Sequence, residues 1–163
     1  MKRVALATLL CGVCSCGIYT FSGSTLPPHL KTVAIPLFSN ASLQANVAEE
    51  LTDSLSKRVL STNLMRIVST GGDATIGGKV TAYANNPRSY GNAGVRQVTI
   101  SEYEVAITVE VEFTDNKKNT PLFKGTVTGK GVYDFTKDNE EVGRKKAQTD
   151  VVDQILQNSL QSW

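Results

Sequence analysis

From Tyr103 to Phe113, apolar side chains fall on every second residue. Tyr103, Val105, Ile107, Val109, Val111 and Phe113 share one face; Glu104, Ala106, Thr108, Glu110 and Glu112 share the other. Successive strand residues point to opposite faces, so this run predicts a half-buried β-strand roughly 36 Å long. Asp115-Asn116-Lys117-Lys118-Asn119 then reads as a polar hairpin turn. Pro121 to about Phe135 returns as the partner strand, loosened by Gly125, Gly129 and Gly131. Upstream, Ile76, Val80 and Ala82 alternate in the same way until Asn85-Asn86-Pro87, and residues 85–97 read as a loop with two glycines.

Two segments change the period to that of a helix. Leu43, Val47, Leu51, Leu55 and Val59 recur every four residues, widened by Ala48 and Leu60, which predicts an amphipathic helix over 42–61. Its acids come early and its bases late, as the helix dipole prefers. Near the C-terminus, Val142, Val151, Val152, Ile155, Leu156 and Leu160 form a second stripe, with Asp138 and Glu141 spaced as a capping box. Short β-branched runs at Lys31–Leu37 and Leu64–Val68 read as two further strands. The expected fold is α+β in the order β-α-β-β-β-β-α. It is a two-layer sandwich with both helices on one face of a mostly antiparallel sheet.

The N-terminus carries a different kind of signal. Lys2 and Arg3 precede an apolar run from Val4 to Val13. About ten residues are too few to span a bilayer as a helix. Val13-Cys14-Ser15-Cys16 matches a bacterial lipobox, which makes Cys16 the expected lipidated residue and 1–15 a lipoprotein signal peptide. Cys11 and Cys14 lack the aliphatic and small residues that should precede such a cysteine. Residues 16–30 read as a lipidated tether with a Pro27-Pro28 stop, and 31–163 as one domain. Cleavage would remove two of the 17 basic residues and leave as many basic as acidic ones, 15. A neutral domain does not argue for nucleic acid. Several acyl chains would hold it stably at a membrane. Gly17 stands where an aspartate would retain a lipoprotein in the inner membrane of many Gram-negative bacteria, which favours the outer membrane.

Catalytic patterns are missing. There is no G-x-S-x-G, P-loop or H-E-x-x-H. The one histidine, His29, reads as a solvated tether residue with no second ligand for a metal, so no metal and no cofactor are expected. Glu104, Glu110 and Glu112 lie on an open strand face, where carboxylates are solvated, and Arg144, Lys145 and Lys146 read as a solvated helix face. Gly71-Gly72 and Gly77-Gly78 lead into a strand, not a helix, so they are no phosphate loop. These features fit a binding or assembly module and not an enzyme.

Residues 16–40, CGIYTFSGSTLPPHLKTVAIPLFSN, join a Cys-Gly with an aromatic close behind, a Ser-Gly tether with Leu-Pro-Pro, and V-A-I-P-x-F-x-N. With the AEELTDSL helix that follows, this resembles the LptE family of lipopolysaccharide-assembly lipoproteins, and the later strands and last helix fit in order. The resemblance implies an outer-membrane lipoprotein that binds lipopolysaccharide and sits inside and beneath the LptD β-barrel as partner and plug. Ile18 and the long Ser-Gly-Pro tether depart from the enterobacterial pattern, so no individual ligand residue carries over. From the chain's own chemistry, the 85–97 and 115–119 loops offer Arg88, Tyr90, Arg96, Lys117 and Lys118. Of these, Arg88, Arg96, Lys117 and Lys118 are the candidate contacts to lipopolysaccharide phosphate, because guanidinium and ammonium groups suit that anion. The alternative role is a periplasm-facing scaffold lipoprotein that binds protein or peptidoglycan and no lipopolysaccharide.

Overall fold

The computed structural model describes residues 26–89 and 100–160. The elements are β1 (Thr32–Ala34), β2 (Ser39–Asn40), α1 (Val47–Thr62), β3 (Arg66–Val68), β4 (Ala74–Ser89), β5 (Ile100–Asp115), β6 (Thr120–Asp134) and α2 (Glu140–Leu160). The order matches the one expected from periodicity, with the two-residue β2 added. Strands line up as β3-β1-β4-β5-β6, with β2 beside β4 further along. The long strands β4, β5 and β6 are antiparallel, and the short β1 to β3 join in parallel.

The period-two run decides the core. Val105, Ile107, Val109, Val111 and Phe113 are buried against Leu51, Leu55, Val59, Val151, Val152 and Ile155. Both helices therefore cover one face, as expected. Gly129 and Gly131 do not loosen β6; they let α2 approach it. A Cβ on Gly131 would meet the carbonyl oxygen of Gly143, and one on Gly129 would meet that of Ala147. Only hydrogen fits between these two backbones.

Three boundaries moved. Leu43 and Leu60, expected on the buried stripe of the first helix, are both exposed. The helix begins at Val47 after Asn46, which takes a left-handed conformation (φ 61°), so Leu43 precedes it; Lys57 and Arg58 fall short of its last turn. Asp138 does not cap α2. Asn139 does, accepting a hydrogen bond from the Val142 N–H at 3.3 Å. Residues 85–89 are not loop: β4 runs through Asn85-Asn86-Pro87 to Ser89, with Pro87 opposite Tyr103. Proline is tolerated there because β1 and β2 pair only with the first part of β4, and the missing N–H falls on an edge.

The outer edge of β6 is covered by side chains of α2. The Lys130 N–H donates to Asp150 Oδ2 (2.9 Å), Gln154 Nε2 donates to the Thr128 carbonyl (3.0 Å) and Lys146 Nζ to the Val132 carbonyl (2.9 Å). These bonds occupy groups that would otherwise recruit another strand.

Candidate functional site

The polar groups that converge most closely lie where the chain enters the sheet. The starts of β1, β3, β4 and β6 and the end of β5 meet at this end. Leu26 and Leu30, expected in a solvated tether, are core residues at 8% and 4% exposure. They bring His29 onto the end of β5, where its Nε2 lies 2.6 Å from Asp115 Oδ2. Asp115 is fully buried. Its other oxygen accepts the N–H groups of Lys117 and Lys118 at 2.9 and 3.1 Å, the expected chemistry of an aspartate opening a turn. Burial pushes the Asp115 carboxyl up, but His29 and the two amides outweigh it and hold the pKa below the ordinary carboxylate value.

Asp73 is the second centre. Lys117 Nζ sits 2.7 Å from its Oδ1. Its Oδ2 accepts the N–H groups of Lys31 and Thr32 and the Thr32 hydroxyl, each at 2.9 Å. Lys117 first, then these donors, hold its carboxyl far below the usual range. Asn116 ties the turn to the start of β4 through the Gly72 carbonyl and Thr75 Oγ1. Gly72 is required here, because a Cβ would stand 2.8 Å from the Ala34 nitrogen. The arrangement is an electrostatic clasp on the incoming chain, with every acid matched to a donor. Among the described residues, no group of three His, Cys, Asp or Glu is placed to hold a metal.

The expected phosphate-binding cations do not form one group. Arg88 lies on β4 opposite Glu102, near the far end of the sheet, 3.9 Å from Glu104 Oε2. Lys117 and Lys118 lie in the β5–β6 turn, roughly 43 Å away along β5. Tyr90, Arg96 and Cys16 fall outside the described residues. The far end carries its own cluster. Tyr103 stacks on Tyr133 with ring centroids 5.8 Å apart and meets Phe135 edge-on at 5.6 Å. The Tyr83 hydroxyl donates to Glu140 Oε1. Burial, then the neighbouring Glu140, pushes the Tyr83 phenol up. The open sheet face carries paired charges, including Lys130–Glu104 and Lys124–Glu112 at 3.2 and 3.0 Å. No helix among the described residues is long and apolar enough to cross a membrane.

The sequence missed His29, Asp73 and Asp115. The Asp-Asn-Lys-Lys turn signal was legible, but the burial of its aspartate depends on residues 26–32 folding back over it.

The LptE lipopolysaccharide-assembly family model matches residues 30–159. Three solved structures share the fold. A protein from Xanthomonas campestris is 13% identical (TM-score 0.55; 81% of this chain, 84% of that one). The PelC dodecamer subunit from Paraburkholderia phytofirmans is 13% identical (TM-score 0.51; 84% and 93%). An uncharacterized lipoprotein B from Nitrosomonas europaea is 19% identical (TM-score 0.50; 83% and 88%). At these identities the likeness is one of fold alone. No curated protein matches the chain.

Proposed function

Because the chain belongs to the LptE family of lipopolysaccharide assembly, we propose that it is an outer-membrane lipoprotein that partners and plugs an LptD-type β-barrel translocon. The family match over 30–159 is the observation that carries this reading. In it, Cys16 is the mature N-terminus, thioether-linked to diacylglycerol, and residues 1–15 are removed. The domain faces the periplasm and works by binding and assembly, not by catalysis.

The surface supports that role. The wall of a barrel lumen is polar and hydrated, and the open sheet face meets it with ion pairs such as Lys124–Glu112 and Lys130–Glu104. Lipopolysaccharide phosphate is met by Arg88 on β4, by Arg96, and by Lys117 and Lys118 at the β5–β6 turn. With Arg88 and the two lysines at opposite ends of β5, they engage different parts of the ligand or different molecules, and each pair can be tested alone. The experiment is a titration of the protein with lipopolysaccharide at low and high salt, using charge reversal of each pair. Loss of binding in either pair, with wild-type binding weakened by salt, supports the reading. Binding unchanged by both pairs together moves the ligand site elsewhere.

A further inference from the structure

Over most of the described surface, cations are matched by acids, as in Lys57–Asp53, Lys124–Glu112 and Lys145–Glu141. The tether end differs. Lys31, Arg66 and Lys118 are exposed there, with no acidic partner among the described residues. They are neighbours through the backbone: the Arg66 N–H donates to the Lys31 carbonyl at 2.9 Å, and the Lys31 N–H donates to Asp73, the acid that holds Lys117 next to Lys118. The acids of this end are already engaged, Asp73 by Lys117 and amides and Asp115 by His29 in the interior. Two exposed leucines precede Arg66 in the chain. Leu60 and Leu64, on the last turn of α1 and just before β3, are 55% and 37% exposed. The C-terminus of α1 also points this way, but its partial negative charge fades within a turn.

We infer that this end of the sheet is a docking surface for an anionic phospholipid bilayer. Charge complementarity and the length of the tether both favour that partner. The inference rests on lipidation of Cys16 and not on the barrel partnership. From Cys16 to Leu26 the chain spans at most about 36 Å, so the anchor holds the tether end near the headgroups, at high local concentration. Each exposed Lys or Arg near an anionic surface strengthens binding about fivefold. Leu60 and Leu64 add apolar contact at the interface, where amphipathic surfaces settle. Before it engages a barrel, the domain then stands with its β5–β6 turn at the bilayer and the Arg88 end of β4 away from it.

The test is hydrogen exchange of the full mature lipoprotein on vesicles of phosphatidylcholine alone or with one quarter phosphatidylglycerol. Flotation with the neutral vesicles reports the lipid anchor itself, so failure of the anchor is read separately. Amides at 64–66 and 116–119 are expected to exchange about tenfold more slowly on the anionic vesicles. The difference should vanish in 1 M salt, where screening acts within roughly 3 Å, and in the K31E/R66E/K118E variant. That variant should melt with the wild type, because the three side chains have no acid to lose. Exchange equal on both vesicles would overturn the proposal, as would slowing centred on the β4–β5 hairpin. Slowing by millimolar inorganic phosphate on neutral vesicles would overturn it in favour of a simple anion site.

Discussion

His29 Nε2 lies 2.6 Å from Asp115 Oδ2, a contact across 86 positions of sequence that fixes where the N-terminal segment joins the sheet. Asp115 is fully buried and could not keep its charge there without that partner and its two amide donors. His29→Ala is therefore expected to lower the melting temperature and to open residues 26–31 to protease ahead of the rest of the domain. Asp115→Asn should be milder than Asp115→Ala, since the amide oxygen still accepts from Lys117 and Lys118. A His29→Ala protein with wild-type melting and wild-type cleavage would show that the clasp does not hold the segment.

The glycines of β6 give a sharper test of packing. Gly131→Ala places a methyl against the Gly143 carbonyl and should cost about 1–3 kcal/mol in urea unfolding. Gly77→Ala, on the open face with nothing within 4 Å, should change stability far less. Equal effects would mean that α2 does not sit this close to the sheet.

Face assignment is tested at adjacent residues of β5. Ile107 is fully buried, and Ile107→Ala should cost about 2–5 kcal/mol. Thr108 faces the open side, 3.1 Å from Thr128 Oγ1, and Thr108→Ala should cost less than about 1 kcal/mol. Denaturant melts of the two variants decide it.

Much of this was legible from period alone. The run from Tyr103 to Phe113 located β5, its buried face and, with the helical stripes, the layer that covers it. Less was legible where two short-range signals competed. Asn85-Asn86-Pro87 reads as a break, yet those residues stay in β4 because its partner β5 continues and the proline sits on an edge. Leu43 fits the four-residue spacing and Leu60 lies next to it, but the left-handed Asn46 starts the helix late, and Leu60 turns outward at its end. Of the site, the cations were visible as residue types. That Arg88 and Lys117 lie at opposite ends of β5 follows from hairpin register, which no local pattern states.

Acid should loosen the approach to α2. The Thr136 hydroxyl at 2.6 Å, its N–H at 3.0 Å and Lys137 hold the Asp134 carboxyl at about 2, below the ordinary 3.8. A depressed carboxyl stabilises the fold fully above its unfolded value and loses that contribution as pH falls through the folded one. This contribution should thus be intact above about pH 4 and fade between pH 4 and 2. Thr136→Ala should raise the Asp134 midpoint toward its ordinary value in a carboxyl NMR titration. An unchanged midpoint would remove Thr136 as the cause.

The most direct test of the central claim is affinity purification of the mature lipoprotein from detergent-solubilised outer membrane, with the bound proteins identified by mass. The account expects one large β-barrel protein in one-to-one ratio and an intact mass that begins at a diacylated Cys16. Recovery of the lipoprotein with peptidoglycan or periplasmic proteins and no barrel would contradict it and leave the scaffold role in its place.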